Sequence, residues 1–272
     1  MKDNQYEAAN RRHWNEVTLV HVAAEEFYGL EAFKRGETPL CRDEIEEVGP
    51  VEGKSLLHLQ CHFGMDTLAW ARLGARVTGV DISDASIERA RKLAEELAIH
   101  DARFIRCNVY DLPEHLDEQF DVIYTGRGAL VWLKDLNEWA KIVARYMKPG
   151  GILYLMDSHP ALDLFWNPVD GKLVLDGSYF HKEEPDRSPP GEKDYANANY
   201  VEETEDFGWR WPIQDILMAL IDAGLELESF REYDRFFCQV FPGMVREEEF
   251  WWTLPGYEGK VPMTFSLCAR KK

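Results

Sequence analysis

Between residues 55 and 157 short β-rich runs alternate with stretches of helical spacing. The runs are SLLHLQ (55–60), ARVTGVD (75–81), ARFIRCN (102–108), QFDVIYT (119–125) and GILYLMD (151–157). Between them, residues 65–73 have helical spacing that ends at Gly74. ASIERARKLAEELA (85–98) sets Ile87, Ala90, Leu93, Ala94 and Leu97 on one face, with Ser83 or Asp84 as its cap. LNEWAKIVARYM (136–147) reads as a further helix, stopped by Pro149, Gly150 and Gly151. Strands joined through helices must run parallel, and such crossovers are right-handed. The alternation therefore predicts a mostly parallel sheet covered by helices on both faces.

Beyond Asp157 the pattern changes. Residues 158–211 carry Pro160, Pro168, Pro185, Pro189 and Pro190 among charged and aromatic residues, which predicts an inserted cap with a short hairpin around 171–181. PIQDILMALIDAG (212–224) reads as a helix with Pro212 in its first turn and Gly224 as its stop, followed by a strand over 225–234. Residues 235–261 are too poor in helical spacing to serve as a crossover, so the last strand, 262–271, is expected to pair antiparallel. The first 50 residues are amphipathic and helical in character. The expected organisation is an N-terminal helical cap (1–50), a core (51–157), an inserted lid (158–211) and a C-terminal helix and strand pair that complete the core (212–272).

Composition narrows the partners. With 31 Lys and Arg against 49 Asp and Glu the net charge is −18, a field that repels polyphosphate, and no basic stripe stands out; nucleic acid is not the expected partner. The longest apolar runs fall short of the roughly 20 residues that span a membrane. The stretch MKDNQYEAANRRHWNE lacks the apolar core of a secretory leader, and five scattered cysteines without a C-x-x-C pair fit reduced thiols, so a cytoplasmic protein is expected. The acidic runs RDEIEE and REEEF read as solvated faces.

LLHLQCHFGMDT (56–67) admits two readings. As a metal cluster it fails on geometry: on a strand His58 and Gln60 project to one face and Leu59 and Cys61 to the other, and no second Cys/His cluster follows. No metal is expected there. As a nucleotide-binding turn it does better, because a strand that runs straight into a helix aims free backbone N–H groups over the carboxyl end of the sheet. Gly64 is the one glycine left in the turn. Asp81, at the end of the second run, can accept hydrogen bonds from both hydroxyls of a ribose, and Asn108, at the end of the third, can pair with an adenine edge.

Together these strand ends resemble class I S-adenosylmethionine (SAM)-dependent methyltransferases. GARVTGVDIS is similar to the family's second motif, FIRCNVYDLP to its third, FDVIYTGRGALVWL to its fourth and YMKPGGILYLMDSH to its fifth. The C-terminal helix and final strands match the family's last elements. LLHLQCHFG departs from the first motif, with His58 in place of the usual acid and Gln60 and His62 at two usual glycines. HLQCHFGMDTLAWARLGA as a whole resembles a recurring bacterial subgroup.

The resemblance implies a three-layer, Rossmann-like α/β fold with a seven-stranded, mostly parallel sheet and an antiparallel last strand. It implies SAM as cofactor and S-adenosyl-L-homocysteine as product, held by Gln60, Cys61, His62, Gly64, Thr67, Asp81, Ile82, Asn108, Val109, Thr125 and Gly126. Gln60 and His62 call for a turn wider than glycine makes, unless their φ values are negative.

Methyl transfer from a sulfonium needs in-line approach and exclusion of water, and oxygen or protonated nitrogen acceptors also need a base. The candidates are His159, Asp157 and Tyr124. Arg127 is placed to hold an anionic acceptor group or to form an ion pair, and Trp14 and Trp132 to contact substrate. Trp14, Trp166, Tyr179, Trp209 and Trp211 could form a lid. The fourth strand does not continue into N/D-P-P-Y, which argues against nucleobase and glutamine amide acceptors. The expected activity is transfer to an O or N atom of a small molecule. A non-catalytic SAM-binding module stays open. An NAD(P)-dependent oxidoreductase would want G-x-G-x-x-G and a parallel sixth strand.

Overall fold

The computed structural model describes residues 2–165, 167–169, 172–247 and 250–272. Four helices come first: α1 (Lys2–Ala23), α2 (Glu25–Tyr28), α3 (Leu30–Lys34) and α4 (Arg42–Val48). The expected alternation follows as β1 (Ser55–Leu59), α5 (Met65–Arg72), β2 (Arg76–Asp81), α6 (Asp84–Glu96), β3 (Arg103–Arg106), α7 (Leu112–His115), β4 (Phe120–Gly126), α8 (Leu136–Tyr146) and β5 (Met147–Ser158). After the insertion, which carries β6 (Asp186–Ser188) and β7 (Asp206–Gly208), come α9 (Ile213–Asp222), β8 (Leu225–Tyr233), β9 (Val245–Arg246), β10 (Trp252–Thr253) and β11 (Thr264–Lys271).

Seven strands make the main sheet in the order β3-β2-β1-β4-β5-β11-β8. Pairing is parallel from β3 to β5, and β11 runs antiparallel to both β5 and β8. This is the expected sheet. Its order reverses between β1 and β4, and the crevice above such a reversal is where open α/β sheets bind ligands.

Local chemistry explains the units. The Ser83 Oγ accepts the Ser86 N–H and starts α6, which buries Ile87, Ala90, Leu93 and Ala94; Asp135 caps α8 in the same way through the Glu138 N–H. Glycine is required twice near the crevice. A Cβ on Gly64 would lie 2.8 Å from that of Ala90, and one on Gly79 in mid-β2 would lie 2.8 Å from the Cys61 sulfur. The turn after β1 can therefore rest directly on β2 and α6.

Three expectations are corrected. Residues Pro149–Gly151 lie inside β5, where the register with β4 slips between Phe120 and Val122, so that strand starts earlier than its apolar run. Among the described residues of 171–181 no strand pair forms: the N–H groups of Asp176 and Gly177 go to the Leu164 carbonyl and that of Ser178 to the Asp163 carbonyl, and the strand pair described in the insertion is β6–β7. Pro212 stands just before α9 as its cap position.

The stretch between β8 and β11 is no mere connection. Phe236, Phe241, Met244, Leu254 and Met263 form an apolar cluster with Leu162 of the insertion. Burying such a side chain contributes about 1.5–3 kcal/mol, enough for these residues to form a second part of the roof over the crevice.

Candidate active site

A cavity of about 1250 Å³ lies over the carboxyl ends of β1, β2 and β4. Its floor is the turn from β1 into α5. Gln60 and His62 there hold left-handed backbone, with φ of 58° and 49°, and Gly64 follows at 83°. That conformation costs a residue with a side chain roughly 1–2 kcal/mol, and each of the two is tied down. Gln60 Nε2 donates to the Ala129 carbonyl at 2.8 Å. The His62 backbone N–H donates to Asp81 Oδ2 at 2.8 Å, and its ring lies between Ser86 Oγ (3.1 Å) and His21 Nδ1 (2.9 Å). Their φ values are therefore not negative; the two residues take the left-handed backbone that glycine ordinarily takes.

On β2, Asp81 accepts the Ser83 N–H at Oδ1 and the His62 N–H at Oδ2, both at 2.8 Å. Each oxygen retains a lone pair for a ligand. Burial pushes this carboxyl up to about 6, against the backbone N–H groups of Ser83, His62 and Ile82. Asn108 accepts the Tyr110 N–H at 3.2 Å, which leaves its NH2 for the cavity that it lines. Gln60 Oε1 is buried on the same wall without a partner, as expected of a group whose partner is a ligand.

The opposite wall is acidic. Arg127 Nη2 lies 2.7 Å from Glu44 Oε2 and 3.6 Å from Asp66 Oδ2, and its guanidinium stacks 4.8 Å over the Phe250 ring. Glu44 is fully buried and also accepts the Tyr124 hydroxyl at 2.6 Å and the Cys41 N–H at 2.8 Å. The RDEIEE run is thus not a solvated face at Glu44. Burial pushes the Asp66 carboxyl up to about 6, with Arg127 drawing it back. Burial, and secondarily Arg127, push His58 down to about 3. The neutral His58 ring bonds the Thr67 hydroxyl at 2.7 Å, and Asp66 stands beside Thr67 in the first turn of α5.

The roof brings a polar chain to the cavity from the N-terminal helices and the insertion. Asp194 Oδ2 lies 2.8 Å from His21 Nε2, and His21 Nδ1 lies 2.9 Å from His62 Nε2 and 3.1 Å from the Tyr28 hydroxyl, which in turn meets the Tyr195 hydroxyl at 2.8 Å. Burial raises Asp194, but the hydrogen bond and charge of His21 outweigh it and hold the carboxyl below its ordinary value. Burial, then His21, lower His62 well below the ordinary histidine range. With Asp194 at His21 Nε2, the other ring nitrogen, Nδ1, is the one that faces His62 and Tyr28. His62, Tyr28 and Tyr195 line the cavity.

Of the residues singled out from sequence, Gln60, Cys61, His62, Gly64, Asp81, Ile82, Asn108, Val109, Gly126, Arg127, Trp132, Trp14 and Asp157 line this one cavity. Thr67, Thr125, Tyr124 and His159 are not part of its lining. Thr67 is bonded to His58, Thr125 Oγ1 donates to the Leu59 carbonyl, and the Tyr124 hydroxyl is committed to Glu44. His159 caps the turn after β5, its Nδ1 accepting the Ala161 N–H and its Nε2 3.0 Å from Glu232. Asp157 lines the cavity, yet its carboxylate is occupied by the N–H groups of Gly128, Ala129, Leu130 and Ser158 at 2.6–3.0 Å. It shapes the loop after β4. Trp209 and Trp211 are in the lining and Tyr179 is not, while Trp166 lies outside the described residues. Sequence reasoning missed Glu44, His21, Tyr28, Asp194 and Tyr195.

Residues 57–153 match a family model described as a methyltransferase domain. An S-adenosylmethionine-dependent methyltransferase from Mesorhizobium loti superposes on 88% of this chain and 100% of its own, with a TM-score of 0.62 and 21% identity. The fold is that of class I methyltransferases. Among curated proteins, this chain is 31% identical over 116 residues to the ubiquinone biosynthesis O-methyltransferase of Paracidovorax citrulli, covering 43% of this chain and 48% of that protein. The malonyl-[acyl-carrier protein] O-methyltransferase of Pseudescherichia vulneris is 24% identical over 82% of this chain and 83% of its own. The chain spans about half the length of the first curated relatives that it matches. No helix among the described residues is long and apolar enough to cross a membrane.

Proposed function

We propose that the protein binds SAM and transfers its methyl group to an O or N atom of a small-molecule acceptor. The observation that carries this reading is the convergence of Asp81, Asn108, Gly64 and the unpartnered Gln60 Oε1 on one cavity at the sheet's reversal point. Asp81 would hold the ribose hydroxyls, Asn108 and the Val109 N–H the adenine, and Gln60 with Asp66 the methionyl end. When bound, SAM supplies an electrophilic methyl on its sulfonium. The HLQCHFG turn supports a place in the subgroup that carries it. The unpaired cysteines support a cytoplasmic location.

Size and charge describe the acceptor. Ligand pockets usually measure about 300–1,000 Å³, so 1250 Å³ has room for cofactor and acceptor together. Arg127 is held by Glu44 and Asp66, which favours a neutral or cationic acceptor over an anionic one. The His21 relay is the base in this reading. Tyr28 takes the acceptor's proton as it gives its own to His21 Nδ1, and Asp194 stabilises the imidazolium that forms, the arrangement by which a carboxylate–histidine pair activates a nucleophile.

Calorimetry with SAM and with NAD, followed by transfer of tritiated methyl from SAM into a small-molecule extract, tests the reading. Saturable SAM binding and a labelled low-molecular-weight product are expected. NAD binding without SAM binding would point to the oxidoreductase, and SAM binding with no labelled product in any fraction to the non-catalytic module.

A further inference from the structure

Helix α1 meets the insertion along a row of three side chains one turn apart. Asn10 at one end exchanges two hydrogen bonds with the Phe207 backbone, at 2.9 and 2.8 Å. Glu16 at the other end accepts the Tyr200 hydroxyl at 2.9 Å and the Glu203 N–H at 2.6 Å. His13, between them, makes no such contact. It is 94% buried, at 6% exposure, and its Nδ1 has no hydrogen-bond partner. The nearest carboxylate oxygen, on Glu202, is 3.8 Å away, and the donor atoms of His13, Glu202 and Asp206 all lie within 4.8 Å of one another.

That spacing is too wide for hydrogen bonds and suits an ion after small adjustment. Four ligands at about 2.0–2.1 Å from a tetrahedral centre are about 3.4 Å apart, so the widest pair needs to close by roughly an ångström. The surrounding charge also favours a cation: Asp194, Glu16 and Glu192 act on Glu202 as well, and Glu192 on Asp206. One neutral imidazole with two carboxylates is a donor set for a borderline divalent metal.

We propose that His13 Nδ1 and the carboxylates of Glu202 and Asp206 bind one divalent first-row transition-metal ion, with Zn2+ as the reference, and that the ion pins helix α1 to the inserted segment. His13 stacks on Trp132 at 6.0 Å and packs edge-on against Trp14 at 5.8 Å, both on the cavity wall. An ion here would hold the roof in place without touching the reacting atoms. His13 stands far from Glu202 and Asp206 in the chain, which is why no ligand spacing marks the three together in the sequence.

The test is direct binding and is independent of methyl transfer. Full-length protein stripped with a chelator, its fold checked by circular dichroism, is titrated with Zn2+ and in parallel with Co2+, Mg2+ and Ca2+. One equivalent of Zn2+ per chain is expected, with Co2+ giving visible absorption bands and Mg2+ and Ca2+ not competing. His13→Ala and Asp206→Asn should each weaken Zn2+ binding at least tenfold, and Glu202→Gln should do the same. Substoichiometric Zn2+ uptake by the wild type would overturn the proposal. So would affinity that is unchanged in Asp206→Asn, since that places the ion on the cysteines. Binding of Mg2+ or Ca2+ in preference to Zn2+ would overturn it as well. If His13→Ala fails to fold, the wild-type stoichiometry and the two carboxylate variants decide.

Discussion

The floor and the roof of the cavity are built in different ways. The floor comes from residues 55–126, in which each turn follows its strand and contacts such as Asp81 with the His62 N–H, and Gly64 against Ala90, join neighbouring β-α units. The roof is gathered from α1, α2, the insertion and the segment after β8, so that His21 meets Asp194 across 173 residues. Local sequence can specify the floor alone, because the β-α alternation itself delivers those side chains to one edge of the sheet. The roof depends on packing between segments that carry no periodic pattern. The proposed function assigns cofactor recognition to the first region and acceptor chemistry to the second.

That division is open to test, and the largest effect is expected in the roof. His21→Ala removes the acceptor of the relay and should lower the methyl-transfer rate by roughly 10²–10⁴, the usual worth of a general base, with SAM affinity changed only a few-fold in calorimetry. Equal losses in rate and SAM affinity would merge the two regions. In the floor, Asp81→Ala should weaken SAM binding by roughly 1.5–3 kcal/mol, the range for hydrogen bonds to a charged group. Unchanged affinity would remove Asp81 from the cofactor site.

The pH dependence of binding separates the regions in a third way. Asp81 and Asp66 are both pushed up to about 6, and the cofactor's hydroxyls and ammonium need them ionised. As pH falls through 6 the carboxylates take up protons and bound SAM must displace them. Affinity should thus drop by up to about one decade per pH unit for each carboxylate involved. Asp66→Asn should make the slope shallower. A SAM affinity that is flat between pH 5 and 7 would show that neither carboxylate faces the cofactor.

What the sequence made legible follows the same division. The strands and helices over 55–157 fall within a residue or two of their patterns, apart from the early start of β5 and the short α7, for which no pattern is read, and Gly64, Asp81 and Asn108 stand where the β-α rule puts them. His159 lies outside the cavity lining because a histidine just before a proline at a strand end can equally cap the turn that follows, as it does here. Glu44 was hidden in RDEIEE, a run whose composition suggests solvent. Its burial comes from Tyr124 and Arg127, both about 80 residues further on. The relay was not legible at all, since nothing near His21 or Asp194 marks either as half of a pair.

The smallest expected effect bears on the one place where the floor broke its own rule. Replacing Gln60 by alanine keeps the left-handed backbone and loses the hydrogen bond to the Ala129 carbonyl, a loss of about 0.5–1.5 kcal/mol. Replacing it by glycine loses the same bond but removes the left-handed cost, partly offset by the larger entropy of glycine in the unfolded chain. Alanine ordinarily stabilises a chain relative to glycine. At a residue with φ of 58° the order should reverse, with Gln60→Gly more stable than Gln60→Ala by about 1 kcal/mol in urea denaturation. The usual order would mean that residue 60 leaves the left-handed region in solution, and with it the backbone path that lets this glycine-poor turn stand in for a glycine-rich one.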